Sequence, residues 1–235
     1  MIESLTNNKI KYTTKLKLKK YRTENHQFLV EGEHLIEEAI KSNLVDYIFT
    51  TKDTDYDVPS YRVSEKVMKK LSDLNLSEVA VCNKPKTIKQ SDRILILDGV
   101  QDPGNLGTLI RSAAAFGFNT ILYENTVDCY NEKVIRSSQG ALFYVNLIEV
   151  DLIEFMKANK EIHYYGTNVQ NGNNLKAIKF NQDKLAIILG NEGFGVRKSI
   201  QDLVNTNINI PMLDTESLNV GVAGGILMYQ AFGNQ

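Results

Sequence analysis

The sequence has no tryptophan and few residues of the types that build disulfides or metal sites. Its 235 residues include two cysteines and three histidines. Cys82 and Cys129 lie far apart without CxxC spacing, and the histidines form no HExxH motif. This pattern predicts neither a disulfide framework nor a zinc site. We therefore expect reduced thiols, a cytoplasmic protein and no metal cofactor.

The sequence also lacks a long apolar run. No stretch approaches the roughly 20 apolar residues that span a bilayer. The first residues are polar and lack the apolar core of a secretory signal. With 43% hydrophobic and 23% charged residues, the composition is typical of a soluble protein with one or two domains. We expect no membrane partner.

Charge is unevenly distributed, although the formal net charge is only −1. Residues 1–22 contain seven basic residues and one acidic residue. A dense basic segment with interleaved Tyr12 and Tyr21 suits the phosphate backbone of a nucleic acid. The alternative is a solvated helix face, because Leu16 and Leu18 make only a weak amphipathic stripe. Charge alone leaves both interpretations open.

The first half of the chain predicts a small unit of alternating strands and helices. We expect one basic helix from Ile10 to Tyr21, and a later helix over Glu65–Leu71 with Ser64 as its N-cap. The polar stretch 83–92 contributes nothing to a core. A domain boundary is therefore predicted there, giving domains 1–90 and 91–235.

The stretch 94–117 is the most informative part of the sequence. Its four aliphatic residues at 94–97 predict a strand buried on both faces, as in a parallel sheet. Pro103, Gly104 and Gly107 predict a break after the strand, and apolar spacing predicts a helix over 106–116 that ends at Gly117. Strands and helices alternate through the rest of the chain, which predicts an α/β domain with a parallel sheet.

Two polar residues in this stretch are candidates for function. Ligands of open α/β sheets lie in the crevice outside the carboxyl ends of the strands. We expect Asn105 in the loop and Arg111 on the first turns of the helix to point there. The alternative is an ordinary βα unit with a solvated arginine, and the spacing alone does not decide between them.

Two further loops follow predicted strands. Gly190-Asn-Glu-Gly-Phe-Gly195 comes directly after the apolar strand Leu185–Leu189, and the segment 211–219 follows another strand. A glycine after a strand lets the backbone approach a ligand closely. Neither loop matches GxGxxG or GxxxxGK[ST], so a dinucleotide or nucleoside triphosphate pocket is not indicated.

Together these loops resemble the three ordered motifs of the SpoU (TrmH) family of RNA ribose methyltransferases, in the SPOUT superfamily. The resemblance covers about 92–235 and is specific, because three rare loops occur in the family's order. The N-terminal segment resembles, less specifically, a small ribosomal-protein-like RNA-binding domain. The matching residues are Asn105 with Arg111, Leu-Gly-Asn-Glu-Gly at 189–193, Ile-Pro-Met at 210–212 and Ser-Leu-Asn-Val at 217–220.

The resemblance implies a fold, a reaction and an assembly. The fold is a small N-terminal α/β RNA-binding domain followed by a parallel-sheet SPOUT domain with a deep C-terminal trefoil knot. The reaction is methylation of a ribose 2′-hydroxyl with S-adenosylmethionine, and the active site lies across a homodimer interface. The expected substrate is 23S rRNA. A tRNA methyltransferase and a non-catalytic RNA-binding or assembly factor are the alternatives, and a role in antibiotic resistance stays open.

The resemblance also implies roles for particular residues, and the basic N-terminal segment supplies the expected RNA-binding set. Ile210 and Leu218, in the cofactor set, have a core role as their alternative. The expected catalytic residues are Asn105, Arg111, Glu192, Ser217 and Asn219. The expected cofactor-binding residues are Thr167, Leu189, Gly190, Ile210, Met212 and Leu218. The expected RNA-binding residues are Lys9, Lys11, Lys15, Lys19 and Arg22.

The segment after Pro211-Met212 departs from the family pattern. It is shorter than usual and lacks the glycine that the family has there. We expect Asp214 to adopt the left-handed conformation in place of that glycine, because a short polar side chain tolerates it.

Overall fold

The computed structural model describes residues 1–54, 56–86, 91–168 and 172–233. Short 3-10 helices lie at Ala141–Tyr144 and Leu175–Ala177. The α-helices, numbered along the chain, are α1 (Asn8–Lys15), α2 (Lys19–Asn25), α3 (Glu33–Lys41), α4 (Glu65–Leu71), α5 (Pro103–Ala115), α6 (Glu132–Ser138), α7 (Leu152–Ala158), α8 (Lys198–Gln201) and α9 (Val220–Phe232). The strands are β1 (Gln27–Glu31), β2 (Val45–Thr50), β3 (Ser60–Arg62), β4 (Glu78–Asn83), β5 (Arg93–Asp98), β6 (Thr120–Glu124), β7 (Asn146–Glu149), β8 (His163–Thr167), β9 (Asn173–Asn174), β10 (Leu185–Gly190) and β11 (Thr206–Asn209).

The chain forms two compact units. The first comprises Met1–Lys86 and Tyr130–Phe143, and the second comprises the remaining described residues. The sequence places 130–143 in the second domain, whereas these residues pack with the first unit, where the rings of Phe28 and Tyr130 lie 5.0 Å apart between centroids. The boundary between domains 1–90 and 91–235 stays a prediction.

The first unit is built on a four-stranded sheet in the order β1–β4–β2–β3. Strand β4 pairs antiparallel with β1 and β2, and β2 pairs parallel with β3. Apolar residues of α1, α4 and the strands form a common core that includes Ile10, Phe49 and Leu71. The N-cap predicted for α4 is confirmed, because Ser64 Oγ accepts a hydrogen bond from the N–H of Val67.

A break between α1 and α2 replaces the single basic helix predicted over Ile10–Tyr21. Helix α1 ends at Lys15, and Leu18 is extended before α2 begins. Leu16 is buried in the core, whereas Leu18 is exposed. Arg22 is buried and its Nη1 donates to the carbonyl oxygens of Leu16 and Lys17 at 2.8 and 2.7 Å. The guanidinium therefore holds the two helices at this break.

The second unit contains a seven-stranded sheet in the order β7–β6–β5–β10–β8–β11–β9, and its paired strands are parallel. This confirms the predicted parallel α/β fold. The central strands β5 and β10 are almost wholly aliphatic and buried, as strands covered on both faces must be. Strands β6 and β7 lie on one side of β5 and the later strands on the other, so the winding direction changes at β5. Such a change opens a crevice at the carboxyl ends of the strands.

Helix α5 begins three residues earlier than predicted. Asp102 caps it by accepting a hydrogen bond from the N–H of Asn105 at 2.8 Å. Pro103 is its first residue, where a missing N–H has no cost. Asn105 therefore lies in the first turn of the helix rather than in a loop. Gly117, with φ of +77°, follows the helix end as predicted.

Helix α9 packs closely against α5 and β10. A Cβ atom at Gly224 would lie 2.3 Å from Cδ2 of Leu109 and 2.7 Å from Cδ1 of Leu189. Glycine is therefore needed at this position, because no side chain fits where the two helices and the strand meet. This packing places the N-terminus of α9 beside that of α5, where a Cβ at Gly221 would lie 3.2 Å from Cγ2 of Thr108.

Replacing Arg22 with alanine should lower the free energy of unfolding by about 2 kcal/mol, because two carbonyl groups at the α1–α2 break lose a charged donor. Lys19→Ala, at an exposed position of the same helix, should change it by less than about 0.5 kcal/mol. Urea unfolding followed by circular dichroism measures both. Equal, small effects of the two changes would contradict a structural role for Arg22.

Candidate active site

Glu192 lies at the centre of a hydrogen-bond network that joins three segments of the second unit. Its Oε1 accepts from Nδ2 of Asn105 at 3.1 Å and from the N–H of Asp102 at 3.0 Å. Its Oε2 accepts from the N–H of Gln101 at 3.1 Å. Oδ1 of Asn105 in turn accepts from Nδ2 of Asn219 at 2.8 Å. Three of the five predicted catalytic residues are thus joined, although each belongs to a different motif.

Asn219 has both ends of its side-chain amide engaged. Its Oδ1 caps α9 by accepting from the N–H groups of Gly221 and Val222 at 2.9 and 3.2 Å. Its Nδ2 donates to Asn105. An aspartate could accept the two capping bonds but could not donate to Asn105. The position therefore requires an amide if the network is to stay closed.

The environment of Glu192 favours its ionised form. Partial burial raises its pKa, but hydrogen bonds from the N–H of Asp102, from the Asn105 amide and from the N–H of Gln101 outweigh burial. The net result is a pKa below the ordinary value of 4.5. At neutral pH the carboxylate is a charged acceptor that orders its donors, not a proton donor.

The turn from Gly190 to Gly195 holds Glu192 in a fixed conformation. A Cβ at Gly190 would lie 2.1 Å from the carbonyl carbon of Gly195, so only glycine fits there. Asn191 and Gly195 exchange backbone hydrogen bonds of 3.0 and 2.9 Å, and Gly195 has φ of +69°. Oδ1 of Asn191 also accepts from the N–H of Phe194 at 3.2 Å. The backbone on both sides of Glu192 is therefore tied down.

Arg197 anchors the far side of this turn, and sequence reasoning did not single it out. Its Nε donates to Oδ1 of Asp98 at 2.6 Å, and its N–H donates to Oδ2 at 2.7 Å. Its guanidinium also pairs with Glu124. Asp98 is buried at the end of β5. A buried carboxylate needs a partner, so Asp98 after an aliphatic strand was the available signal, but the sequence does not show which cation pairs with it.

Five of the six residues predicted to bind the cofactor lie at or just after the carboxyl ends of β8, β10 and β11, and Leu218 directly precedes the N-cap of α9. Oγ1 of Thr167 donates to the carbonyl of Ile188 at 3.2 Å, which joins β8 to β10 at this edge. Neither Ile210 nor Leu218 is fully buried, and Leu218 is 36% exposed. These two side chains are therefore not ordinary core residues. In chain order the set is Thr167 in β8, Leu189 and Gly190 in β10, Ile210 and Met212 after β11, and Leu218 before α9.

Arg111 and Ser217 are not part of the Glu192 network. Arg111 is exposed on α5, six positions after Asn105, which corresponds to roughly 240° around the helix and about 9 Å along it. Ser217 is exposed in the segment before α9. Within the described part of the chain, neither side chain has a hydrogen-bond partner. The expectation for Asp214 was wrong, because its φ is not positive in the structure.

The predicted RNA-binding lysines lie on the first unit. Lys9, Lys11 and Lys15 are exposed on α1, and Lys19 is exposed at the start of α2. Arg22 was expected to join them, but it is buried and bonded to backbone carbonyls. A buried guanidinium does not reach a phosphate backbone, so the RNA-binding role of Arg22 is corrected to a structural one.

Lys9 also contacts two aromatic rings. Its Nζ lies 4.7 Å from the ring centroids of both Tyr47 and Tyr61. Cation–π contact keeps the ammonium near the aromatic surface while leaving it open to a phosphate. The basic face of α1 is thus combined with aromatic side chains.

Three further properties bear on the kind of site. Within 1–54, 56–86, 91–168 and 172–233, no helix is long and apolar enough to cross a membrane. Over the same residues, no group of three or more His, Cys, Asp and Glu side chains could hold a metal ion. The thiols of Cys82 and Cys129 are both buried, and neither forms a disulfide.

Comparison with known families agrees with this geometry. Residues 92–229 match the SpoU rRNA Methylase family. The chain belongs to the SpoU rRNA methylase family. Residues 7–81 match a second family, the MRM3-like substrate binding domain. The first match contains the whole Glu192 network, and the second contains the basic face of α1.

Several relatives of this SpoU chain cover nearly its whole length. The 23S rRNA (guanosine(2553)-2′-O)-methyltransferase RlmP of Bacillus subtilis is 37% identical over 99% of both chains. The crystal structure of an RNA 2′-O ribose methyltransferase is 28% identical, with a TM-score of 0.82 over 99% of this chain and 98% of that one. An AdoMet-bound rRNA methyltransferase from Sinorhizobium meliloti, 24% identical, has the same fold, with a TM-score of 0.85 over 98% and 96% of the two chains.

The lowered pKa of Glu192 has a testable consequence for stability. Because the pKa is lower in the folded chain than in the unfolded one, the carboxylate stabilises the fold above pH 4.5, and this contribution is lost as the pH falls through the folded-state pKa. Glu192→Gln removes the titration. The difference in Tm between wild type and variant should be constant near neutral pH and shrink below pH 4.5. Thermal unfolding at a series of pH values measures it, and a difference that grows on acidification contradicts the assignment.

Proposed function

We propose that this protein transfers the methyl group of S-adenosylmethionine to a ribose 2′-hydroxyl of 23S rRNA. The observation that carries the proposal is the network in which Asn105, Glu192 and Asn219 meet, in a chain of the SpoU family. The relative RlmP, similar from end to end, is named for this reaction on 23S rRNA. The match of the first unit to a substrate-binding domain supports a macromolecular substrate such as RNA. We also propose that the protein acts in the cytoplasm.

The residues at the carboxyl ends of β8, β10 and β11 fit S-adenosylmethionine. The uncharged edge of adenine suits an apolar slot with backbone donors and acceptors. Ile210 and Met212 leave apolar surface accessible there, and Leu189 and Gly190 contribute strand-end backbone. Leu218, just before α9, adds exposed apolar surface. When bound, the cofactor supplies the electrophilic methyl group.

Methyl transfer forms the O–CH3 bond as the S–CH3 bond breaks, leaves S-adenosylhomocysteine and releases the hydroxyl proton to water. The ribose hydroxyl is a poor nucleophile, so the protein must orient it and stabilise the charge that develops on its oxygen. A guanidinium does not serve as a general base in proteins, so we assign Arg111 no proton abstraction. Its exposed guanidinium suits a bidentate grip on a backbone phosphate and stabilises the developing negative charge. Asn105, Glu192, Ser217 and Asn219 orient the ribose.

We infer that the protein works as a homodimer whose active sites each use residues of both copies. One copy does not bring Arg111 to Asn105, because the two point in different directions from α5. Helix α9 also carries an apolar stripe that is exposed in the single chain. Burial of this stripe against a second copy would remove apolar surface from water. Its residues are Val222 (51% exposed), Ile226 (37%), Tyr229 (63%) and Phe232 (45%).

We also propose the deep trefoil knot that the family resemblance implies. The sheet order supports the knot, because β10 lies between β5 and β8, although both of those strands precede it in the sequence. Helix α9 then packs against β10 and α5. A crystal structure in which the C-terminal segment does not pass through a loop of the earlier chain would contradict the knot.

Methyl transfer to RNA tests the reaction directly. Labelled S-adenosylmethionine is incubated with the protein and size-fractionated RNA from cells that lack the gene, and the RNA is then hydrolysed in alkali. A 2′-O-methyl group blocks alkaline cleavage, so label in alkali-resistant dinucleotides of 23S rRNA is the expected result. Label in the tRNA fraction would indicate a tRNA methyltransferase. No label in any fraction would leave an RNA-binding or assembly factor.

Subunit mixing tests the shared site. Arg111→Ala and Asn105→Ala should each be nearly inactive alone. In a mixture, half of the dimers are mixed and each has one intact site, so roughly a quarter of wild-type activity should return. If both residues act within one copy, every site of the mixed dimer carries a defect. Absence of recovery, with subunit exchange verified by differently tagged copies, contradicts the shared site.

A further inference from the structure

We propose that Phe194 is a base-stacking residue, whose ring packs on an unpaired nucleobase at or next to the ribose that is methylated. This inference rests on the proposed function and names how the same site holds its RNA. The starting observation is that Phe194 is 94% exposed. A phenylalanine ring in water forgoes the stabilisation that burial supplies, so a ring held in solvent at a fixed position needs a partner outside the single chain.

The turn presents this ring with little conformational freedom in the backbone. The N–H of Phe194 donates to Oδ1 of Asn191 at 3.2 Å, and that of Gly193 donates to the same oxygen at 2.9 Å. The backbone bonds between Asn191 and Gly195 close the turn on both sides of the ring. An aromatic side chain on an ordered turn loses little entropy when it binds, because only its own two torsions remain to be fixed.

The ring stands beside the candidate active site. Phe194 is two residues after Glu192, so their Cα atoms lie within about 7 Å of each other. Glu192 accepts a hydrogen bond from the Asn105 side chain. A substrate that places its ribose at this network therefore brings its nearest bases within reach of the Phe194 ring.

The reaction supplies the reason for an aromatic residue here. A ribose inside a stacked, paired helix is hard to reach, so RNA-modifying enzymes act on bases that are splayed out of the stack. An aromatic ring replaces the lost stacking and accepts any base, because every base has a π-face. Phenylalanine has no hydrogen-bonding group, so Phe194 contributes affinity for the open conformation and does not read the identity of the base.

Substitution separates stacking from simple apolar contact. Phe194→Leu keeps apolar bulk but has no flat π-face, and Phe194→Tyr keeps the face. With an unmodified in vitro transcript of 23S rRNA as substrate, Phe194→Leu should raise the KM for RNA about tenfold, which is within the range of one base stack. Phe194→Tyr should stay within about twofold of wild type. The affinity of both variants for S-adenosylmethionine, measured by calorimetry, should be unchanged. Equal KM values for the leucine variant and wild type would overturn the proposal.

The absence of tryptophan from the chain provides a direct readout that does not depend on activity. In Phe194→Trp the new indole is the single tryptophan, and its fluorescence should be fully accessible to acrylamide in the free protein. Addition of the 23S rRNA transcript should quench its emission and shield it from acrylamide. Shielding that requires no RNA and increases with protein concentration would assign the ring to an interface between copies and overturn the proposal. Emission that does not respond while methylation proceeds would overturn it as well.

These outcomes distinguish failure of the inference from failure of the proposed function. If wild type methylates no RNA but the transcript quenches Phe194→Trp, the proposed reaction fails and the stacking contact is supported. If wild type methylates 23S rRNA but Phe194→Leu leaves the KM unchanged and Phe194→Trp does not respond to RNA, the proposed reaction is supported and stacking by Phe194 is refuted.

Discussion

The arrangement of the loops in the second unit depends on the hydrogen bonds that the Glu192 carboxylate accepts. These bonds come from the backbone just before α5 and from Asn105 in the first turn of that helix. Asn105 in turn accepts a hydrogen bond from Asn219, the N-cap residue of α9. The carboxylate therefore lies at the N-terminus of α5, where the partial positive charge of the helix favours such a group. Helix α9 is connected to it through the Asn219 and Asn105 side chains. The lowered pKa of Glu192 and the close packing of α9 on α5 at Gly224 are consistent with this arrangement.

The site divides into exposed residues whose side chains are held by hydrogen bonds and exposed residues whose side chains are not. Glu192 and Asn219 have hydrogen bonds on both sides of their side chains. Arg111, Ser217 and Phe194 are equally exposed, but within the described residues no hydrogen bond holds their side chains. An enzyme that must receive a long, charged substrate needs both kinds, because ordered groups fix the geometry of the reacting atoms and accessible groups contact the polymer. In the proposed dimer the accessible residues would meet RNA and the ordered ones would hold the ribose.

Patterns that depend on burial were readable from the sequence. The aliphatic run at 94–97 predicted a central strand of a parallel sheet, because a strand covered on both faces has no polar alternation. The three loop motifs predicted that Asn105, Glu192 and Asn219 belong to one site, and the structure joins them. The strand was predictable because its burial leaves a local pattern in the sequence. The site was predictable because its three motifs resemble those of a known family.

Features that depend on distant partners were missed or misread. The break between α1 and α2 is supported by Arg22, whose sequence context suggested an RNA contact. The early start of α5 follows from Asp102 as its cap, since Pro103 reads equally as a loop residue or as the first residue of a helix. Arg197 pairs with a carboxylate 99 positions away, and no local pattern identifies that pair.

The central claim is that Asn105 and Glu192 act as one unit in methyl transfer, and a double-mutant cycle tests it most directly. The single-turnover rate on an unmodified 23S rRNA transcript is measured for wild type, Asn105→Ala, Glu192→Gln and the double variant. If the network acts as a unit, the double variant should be about as slow as the slower single variant, because the first change already removes what the second would remove. If the two losses multiply, the residues act independently and the account of the network is wrong.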